Sequence, residues 1–416
     1  MKLRFLNVGY GESILLTANK ADGSAFTMLI DGGSGEDAEY AGFPARMRAA
    51  DALKELGLTR LDVVLNTHIH EDHTCGLARV AGEFEIGEYW CCALPEGNEA
   101  WPELPENIVT LPRSDKSLRA LNEHRRLLKR FRSQGTPVRQ LRQGTELTLP
   151  VENLSITVLG PCSEEVADML PRIERLYAET ETEAQKELLL DVDKNMNNHS
   201  VMLMLNCRGT KVLLPGDTNC AGYGHLPSKE LKADVFKVGH HGQRDGADEA
   251  LVQAVSPRVL VVCASSDRRY ESMHPEILSL FQAHDPNTVY LLSDTPDLAP
   301  WTDGIPVHKA PELTLEEDGG ESAVLQPSGA RCEGASFPHA GRGGGVLRLE
   351  SPVLRPGERG GRARVPIDRR CRAASEHESC RVSCGDEGRR IRVPIPTHPQ
   401  MPATPHRVHG AAPHRP

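Results

Sequence analysis

Aromatic residues are scarce in this 416-residue chain: eight Phe, seven Tyr and three Trp amount to 4%. Its core must therefore be largely aliphatic, and a hydrophobic content of 39% is enough to build one. No run approaches the roughly 18 uninterrupted apolar residues that a membrane span needs. Met1-Lys2-Leu3-Arg4-Phe5-Leu6-Asn7-Val8 reads as a strand and lacks the long apolar segment of a secretion signal. Paired cysteine spacing is also missing. The eleven cysteines are scattered, with Cys207 and Cys263 inside apolar runs, which suits reduced buried thiols rather than a disulfide framework. A soluble, cytoplasmic protein without a membrane role is expected. Nor is there an excess of positive charge: a net charge of −10 argues against a protein that coats nucleic acid, though an enzyme can act on one through a local patch.

Residues 1–315 alternate short apolar runs with helical patterns and Gly turns, as in an α/β protein of sheets covered by helices. Ten strands are expected: Leu3–Val8, Ser13–Thr17, Phe26–Ile30, Asp62–Asn66, Leu154–Leu159, Ser200–Leu205, Lys211–Leu214, Val235–Val238, Val259–Val262 and Thr288–Leu292. Helices are expected over Ala45–Leu56, Lys116–Ser133, Ser163–Ala178, Glu181–Leu190, Ala247–Val255 and Pro275–His284. Between Arg113 and Arg142 basic residues crowd together, either as a solvated helix face or as a track for a phosphate backbone. From Glu164 to Asp193 acidic residues dominate, as an excursion packed near that helix or as a lid. Lysine is absent after Lys309, and residues 325–416 form an Arg/Gly/Pro-rich tail without periodicity. Disorder, or translation from a shifted frame, accounts for the tail better than a binding role; Cys371, Cys380 and Cys384 lack the spacing of a tetrahedral metal site.

The most informative run is Leu65-Asn66-Thr67-His68-Ile69-His70-Glu71-Asp72-His73-Thr74-Cys75-Gly76. Three histidines and an aspartate lie on the loop that leaves a buried strand, so one segment can supply half the ligands of two adjacent metal ions. Imidazoles with a carboxylate suit zinc, or a similar divalent ion, better than calcium or magnesium. Further candidates stand at other strand ends: His199 before Ser200–Leu205, Asp217 after Leu214-Pro215-Gly216, the His240-His241 pair after Val235–Gly239, and His274 before Pro275.

In this order the motifs resemble the metallo-β-lactamase superfamily, and within it the hydrolase domain of the ComEC/Rec2 DNA-uptake proteins. The likeness runs from about Met1 to Leu292. It includes the turn Val8-Gly9-Tyr10-Gly11-Glu12, the element Ile30-Asp31-Gly32-Gly33, the strand from Asn197 to Leu203, Leu214-Pro215-Gly216-Asp217, Lys237-Val238-Gly239-His240-His241-Gly242 and His274-Pro275. The resemblance implies a four-layer αβ/βα sandwich with its site at one edge. It implies that His68, His70 and His199 hold one ion, that Asp72, His73 and either His240 or His241 hold the other, and that Asp217 bridges them. Asp31 would orient a histidine from behind. Asp72, Lys237, His241 and His274 would be the catalytic groups, with Lys237 neutralising a phosphate oxygen and the other three relaying a proton.

The function expected is therefore that of a hydrolase with two Zn2+, or Mn2+ or another divalent ion, acting on nucleic acid or another phosphodiester. Hydrolysis of a phosphorylcholine ester, lactam or thioester on the same ions, or an interaction scaffold without turnover, are the alternatives. Oligomeric state is left open.

Overall fold

The computed structural model describes residues 1–97, 100–294, 312–315 and 347–350. The chain divides into two compact units, Met1–Val353 and Leu354–Pro416, the second of which lies outside the described residues.

The first unit is an αβ/βα sandwich of two mixed sheets. One sheet is built from β1 (Lys2–Phe5), β2 (Ile14–Asn19), β3 (Ala25–Ile30), β4 (Arg60–Asn66), β5 (Glu85–Cys91) and β6 (Val138–Gln140). Its first three strands form an antiparallel meander, with Leu3 opposite Leu16 and Leu16 opposite Met28; β3 to β6 run parallel. The other sheet contains β7 (Leu154–Gly160), β8 (Met202–Cys207), β9 (Thr210–Leu214), β10 (Val235–Lys237), β11 (Val259–Val262) and β12 (Val289–Leu292). It is antiparallel from β7 to β9 and parallel from β9 to β12. Two more strands, β13 (Glu312–Leu315) and β14 (Leu347–Glu350), extend the first sheet beyond β1.

The second sheet is apolar on both faces, because each face is covered. Leu203, Leu205, Val212, Leu214, Val235, Val259 and Val261 belong to the core shared with the first sheet. The residues between them, including Met202, Met204, Leu213, Phe236, Leu260 and Val262, pack into a separate outer core. This is the period-two signature of a strand buried on both sides. The outer core is closed by α8 (Glu249–Val255) and α9 (Pro275–His284) through Leu251, Val252, Ile277 and Phe281, with Leu231 of α7 (Ser228–Leu231). The shared core also takes in side chains of α1 (Ala49–Glu55), α3 (Leu77–Glu83), α4 (Pro112–Gln134), α5 (Ser163–Ala178) and α6 (Thr182–Asn195). A single short turn, α2 (Glu71–Thr74), carries part of the histidine loop.

Among the elements not expected are β5 and β6, whose few residues mix charge and glycine with apolar side chains. Another is β14, which falls within the tail: Leu347 and Leu349 carry a two-residue alternation, and the strand pairs with β13. The rest of residues 325–416, including Cys371, Cys380 and Cys384, lies outside the described residues. The basic helix is longer than its expected Lys116–Ser133. Its cations are mostly partnered: Arg125 and Arg126 pair with Glu103, and Arg119 with Glu36 and Asp115. The acidic stretch forms α5 and α6, and Asp193 of α6 takes Arg113 and Ser117 of α4 as partners. All seven described cysteines are free thiols. Among the described residues no helix is long and apolar enough to cross a membrane.

Candidate metal centre

Loops leaving the C-terminal ends of β4, β9 and β10 converge at one edge of the sandwich, the usual place for a site in open α/β sheets. Gly11 locks the first turn against the histidine loop. With φ of 135° it adopts a backbone that side chains avoid, and a Cβ there would stand 2.4 Å from the Asp72 carbonyl oxygen. Glu12 N–H donates to that same carbonyl oxygen at 3.2 Å. His240 and His241 are bent into left-handed backbone, with φ of 47° and 52°. Such strain persists only where neighbouring contacts over-determine it.

Six side chains meet here. His241 Nε2 lies 2.9 Å from Asp217 Oδ2 and 3.1 Å from Asp72 Oδ2. His73 Nε2 lies 3.2 Å from Asp217 Oδ2, 3.7 Å from Asp72 Oδ2 and 3.3 Å from His241 Nε2. His68 Nε2 and His70 Nδ1 are 3.1 Å apart, and His68 Nε2 is 4.0 Å from Asp217 Oδ2. Asp72, His73, Asp217 and His241 form one group able to hold an ion. His68 and His70 extend it: the His68 ring lies 4.2 Å from that of His73.

The hydrogen bonds behind each ring fix its tautomer. Asp31, itself fully buried, accepts from His73 Nδ1 at 2.8 Å and from Thr67 Oγ1 at 2.6 Å. Because Thr67 gives its proton to Asp31, its oxygen is free to accept from His68 Nδ1, 3.1 Å away. Cys263 carbonyl oxygen accepts from His241 Nδ1 at 2.9 Å. Asp193 faces His70 Nε2, with its Oδ1 at 3.5 Å. In their neutral forms all four rings would aim a lone pair at the cluster, the arrangement in which outer partners orient metal-binding histidines. Two donors that each lie about 2.0–2.1 Å from a tetrahedral zinc are about 3.4 Å apart, and the separations above scatter around that value. The donor set fits zinc-like ions.

The electrostatics agree. Burial by itself would disfavour charge on His241, yet Asp217 and Asp72 bring its pKa up to about 9. His73 is likewise raised, against burial, by Asp217 and Asp31. Asp217 stays ionised well below the usual carboxylate range despite burial, because His241, His73 and Lys237 surround it. His68 is pushed down by burial and by His73 and His70, and so favours its neutral, ligating form. A centre that gathers protons this way exchanges them for a cation.

Several expected members stand elsewhere. His199 is buried, but its Nε2 donates to Cys92 carbonyl oxygen at 3.2 Å and the ring is not gathered into the six. The short helical turn Asn197–His199 rotates it away. Of the adjacent pair, His241 enters the cluster, whereas His240 contacts Asp245, Asn197 and Gln243 at 2.7, 3.0 and 3.2 Å. Lys237 shares the inter-sheet side of β10 with Val235 and is fully buried between Glu12, with which it pairs, and Asp217 Oδ1 at 3.5 Å. Its ammonium is fully enclosed and lies against the Asp217 carboxylate. Burial opposes its charge, but Glu12 and Asp217 hold its pKa above the ordinary lysine value. His274 caps α9 and lies 3.0 Å from Arg244 Nε, outside the cluster.

A cavity of about 250 Å3 opens beside the cluster, and His70, Asp72, Asn197, Arg113, Lys116 and Tyr270 are among its lining residues. Asn197 Oδ1 is buried without a hydrogen-bond partner. Asn197 opens the motif segment that runs to Leu203, which is the sequence feature that could have singled it out. Asp193 and Tyr270 carry no comparable signal.

Two mixed sheets with this donor set at one edge give the chain the architecture and the ligand group of a metal-binding site. It has the metallo-β-lactamase superfamily fold: the model of the metallo-beta-lactamase superfamily matches residues 7–107, and a ComEC-like homologue matches over 291 residues. That homologue, ComE operon protein 3 of Bacillus subtilis, is 25% identical, with 67% of this chain and 30% of the relative covered. The chain thus spans less than a third of the relative's length. Among solved structures, a metal-dependent hydrolase so assigned from Parabacteroides distasonis aligns at 15% identity and TM-score 0.31, covering 69% of this chain and 98% of the other. A metallo-beta-lactamase variant from Cronobacter sakazakii aligns at 13% identity and TM-score 0.27, covering 56% and 75%.

Proposed function

We propose that the protein is a binuclear zinc hydrolase of phosphodiesters, with nucleic acid as its substrate class. The observation that carries this reading is the convergence of four oriented histidines and two carboxylates beside a cavity that also presents Arg113 and Lys116. The ComEC-like homologue supports it. Asp72, His73 and His241 would hold one ion and His68 and His70 the other, with Asp217 between them. Bound there, such ions lower the pKa of water and stabilise the charge that develops on phosphate oxygens. Asp72, which lines the cavity, would accept the proton of the attacking water at Oδ1, the oxygen not turned toward His241, and return it to the ester oxygen as its bond to phosphorus breaks. Arg113 and Lys116 draw the phosphate backbone in, and Asn197 offers its free carbonyl oxygen as a polar contact. The free thiols fit a cytoplasmic setting.

Two results are expected. Elemental analysis of purified protein should find close to two transition-metal ions per chain. Chelation should abolish hydrolysis of bis-p-nitrophenyl phosphate, and zinc or manganese should restore it; protein that binds no transition metal ends the proposal. Second, an Arg113→Ala/Lys116→Ala variant should raise KM for single-stranded DNA. It should also flatten the dependence of log KM on log salt by roughly 0.7 for each lost phosphate contact, while kcat for bis-p-nitrophenyl phosphate keeps its order of magnitude. An unchanged salt slope would take the backbone track off this end of α4. Arg125 and Arg126, tied to Glu103, lie outside the cavity lining and are not expected to contribute.

A further inference from the structure

The connection from β11 to α9 is strained where it borders the cavity. Arg268, Tyr270, Glu271 and Met273 all adopt left-handed backbone, with φ of 50°, 56°, 59° and 49°. Side-chain-bearing residues hold this conformation only where their surroundings impose it. Here the surroundings are a buried ion cluster that takes no part in the metal centre. Arg46 reaches Glu39 Oε1 at 2.7 Å, Asp267 Oδ1 at 3.1 Å and Asp294 Oδ2 at 3.1 Å. Arg269 pairs with Glu39 and, at 3.2 Å, with Asp267 Oδ2. Glu39 Oε1 also accepts the Tyr10 N–H at 2.8 Å. One buried carboxylate therefore anchors both the Tyr10 turn and the Tyr270 loop, from segments more than 200 residues apart in the chain.

The product of this anchoring is a pair of rings on the cavity wall. Tyr10 is buried, receives a hydrogen bond from Gln243 Nε2 at 3.0 Å, and stands with its ring 4.6 Å from that of His241. Tyr270 packs edge-on against it at 5.0 Å and 62°, leaving the Tyr270 side chain 56% exposed. The edge contact with Tyr10 alone does not account for a strained backbone that holds a large ring more than half exposed beside the cavity. A ligand against the ring would account for it. The ring lines the same cavity as Asp72 of the metal centre and Lys116.

We propose that Tyr270, backed by Tyr10, is a stacking platform for a nucleobase of the phosphodiester whose phosphate enters the metal centre. This specifies the substrate of the site described under Proposed function and rests on that reading. A quaternary ammonium suits the wall less well. It is held by several rings closed around it, whereas here one ring is open and Arg113 and Lys116 share the cavity.

The test uses the metal-loaded full chain and two single-stranded oligonucleotides of equal length, one bearing bases and the other fully abasic, with p-nitrophenylphosphorylcholine as a third substrate. Wild-type protein is expected to favour the base-bearing strand in kcat/KM by about 5- to 150-fold, the range that one stacked base is worth. Tyr270→Ala should bring that ratio close to one, and Tyr270→Phe, which keeps the ring, should preserve it. The metal content of both variants should match wild type, because the ring supplies no ligand. If Tyr270→Ala cleaves DNA with an unchanged ratio, the platform is overturned and the phosphodiesterase reading stands. If metal-loaded wild type cleaves neither oligonucleotide, both are overturned. If Tyr270→Ala loses turnover of the choline ester alone, the ring serves a cation and base stacking is again overturned.

Discussion

Asp217→Ala is expected to leave the protein with fewer than two metal ions and to lower turnover of bis-p-nitrophenyl phosphate more than any other single change at the site. The reason is geometric. Asp217 Oδ2 is 2.9 Å from His241 Nε2, 3.2 Å from His73 Nε2 and 4.0 Å from His68 Nε2, so one carboxylate serves both halves of the centre. Losing it also places the positive charge that His73 and His241 carry without metal against no bridging anion. Asp31→Asn provides the scale. Asp31 touches His73 and, through Thr67, controls His68, yet has no donor in the cluster. Its replacement should cost about 10- to 100-fold in affinity or activity, as loss of an orienting partner does. Asp217→Ala should exceed that range and should lower occupancy of both ions. If metal analysis shows one ion fully retained and only the other lost, Asp217 does not bridge.

The parts of this site legible in sequence are those where chemistry leaves no choice of residue. A lone pair that meets a borderline divalent cation must come from a short menu of side chains, and strand ends are where a sheet can present them. His68, His70, Asp72, His73, Asp217 and His241 could therefore be singled out from residue type and position. What sequence does not encode is where a side chain at such a position turns. His199 also precedes a buried strand, but a single helical turn aims its ring at Cys92. His240 and His241 are neighbours of one type, and only their left-handed backbone decides that the second faces Asp217. The core strands were legible because β8 to β12 are apolar on both faces, whereas β5, written Glu-Ile-Gly-Glu-Tyr-Trp-Cys, interrupts any such run. Least legible were the contacts of the longest sequence separation. Nothing near Arg46 hints at Asp267 or Asp294, because the ion cluster exists only once both sheets are packed.

Lys237→Met should destabilise the protein by about 3–5 kcal/mol, the cost of leaving a buried charge without its partner. The lysine is fully enclosed, pairs with Glu12, donates to Gly216 carbonyl oxygen at 2.9 Å and lies 3.5 Å from Asp217 Oδ1. Removing it strands Glu12, which is equally buried and whose turn is pinned to the histidine loop. A Glu12→Gln/Lys237→Met double variant removes both charges and should recover much of the loss, since an apolar or neutral pair of similar volume often matches a buried ion pair. Chemical denaturation of metal-free wild type, the single variants Glu12→Gln and Lys237→Met, and the double variant measures this coupling without involving activity. The contrast with a substrate-binding role is sharp. A lysine that met a phosphate oxygen would be dispensable for folding, so Lys237→Met would unfold at the wild-type denaturant midpoint and lose only catalysis. A lysine that holds Asp217 in place from behind loses stability first, and the second substitution restores stability in a way that no substrate contact could explain.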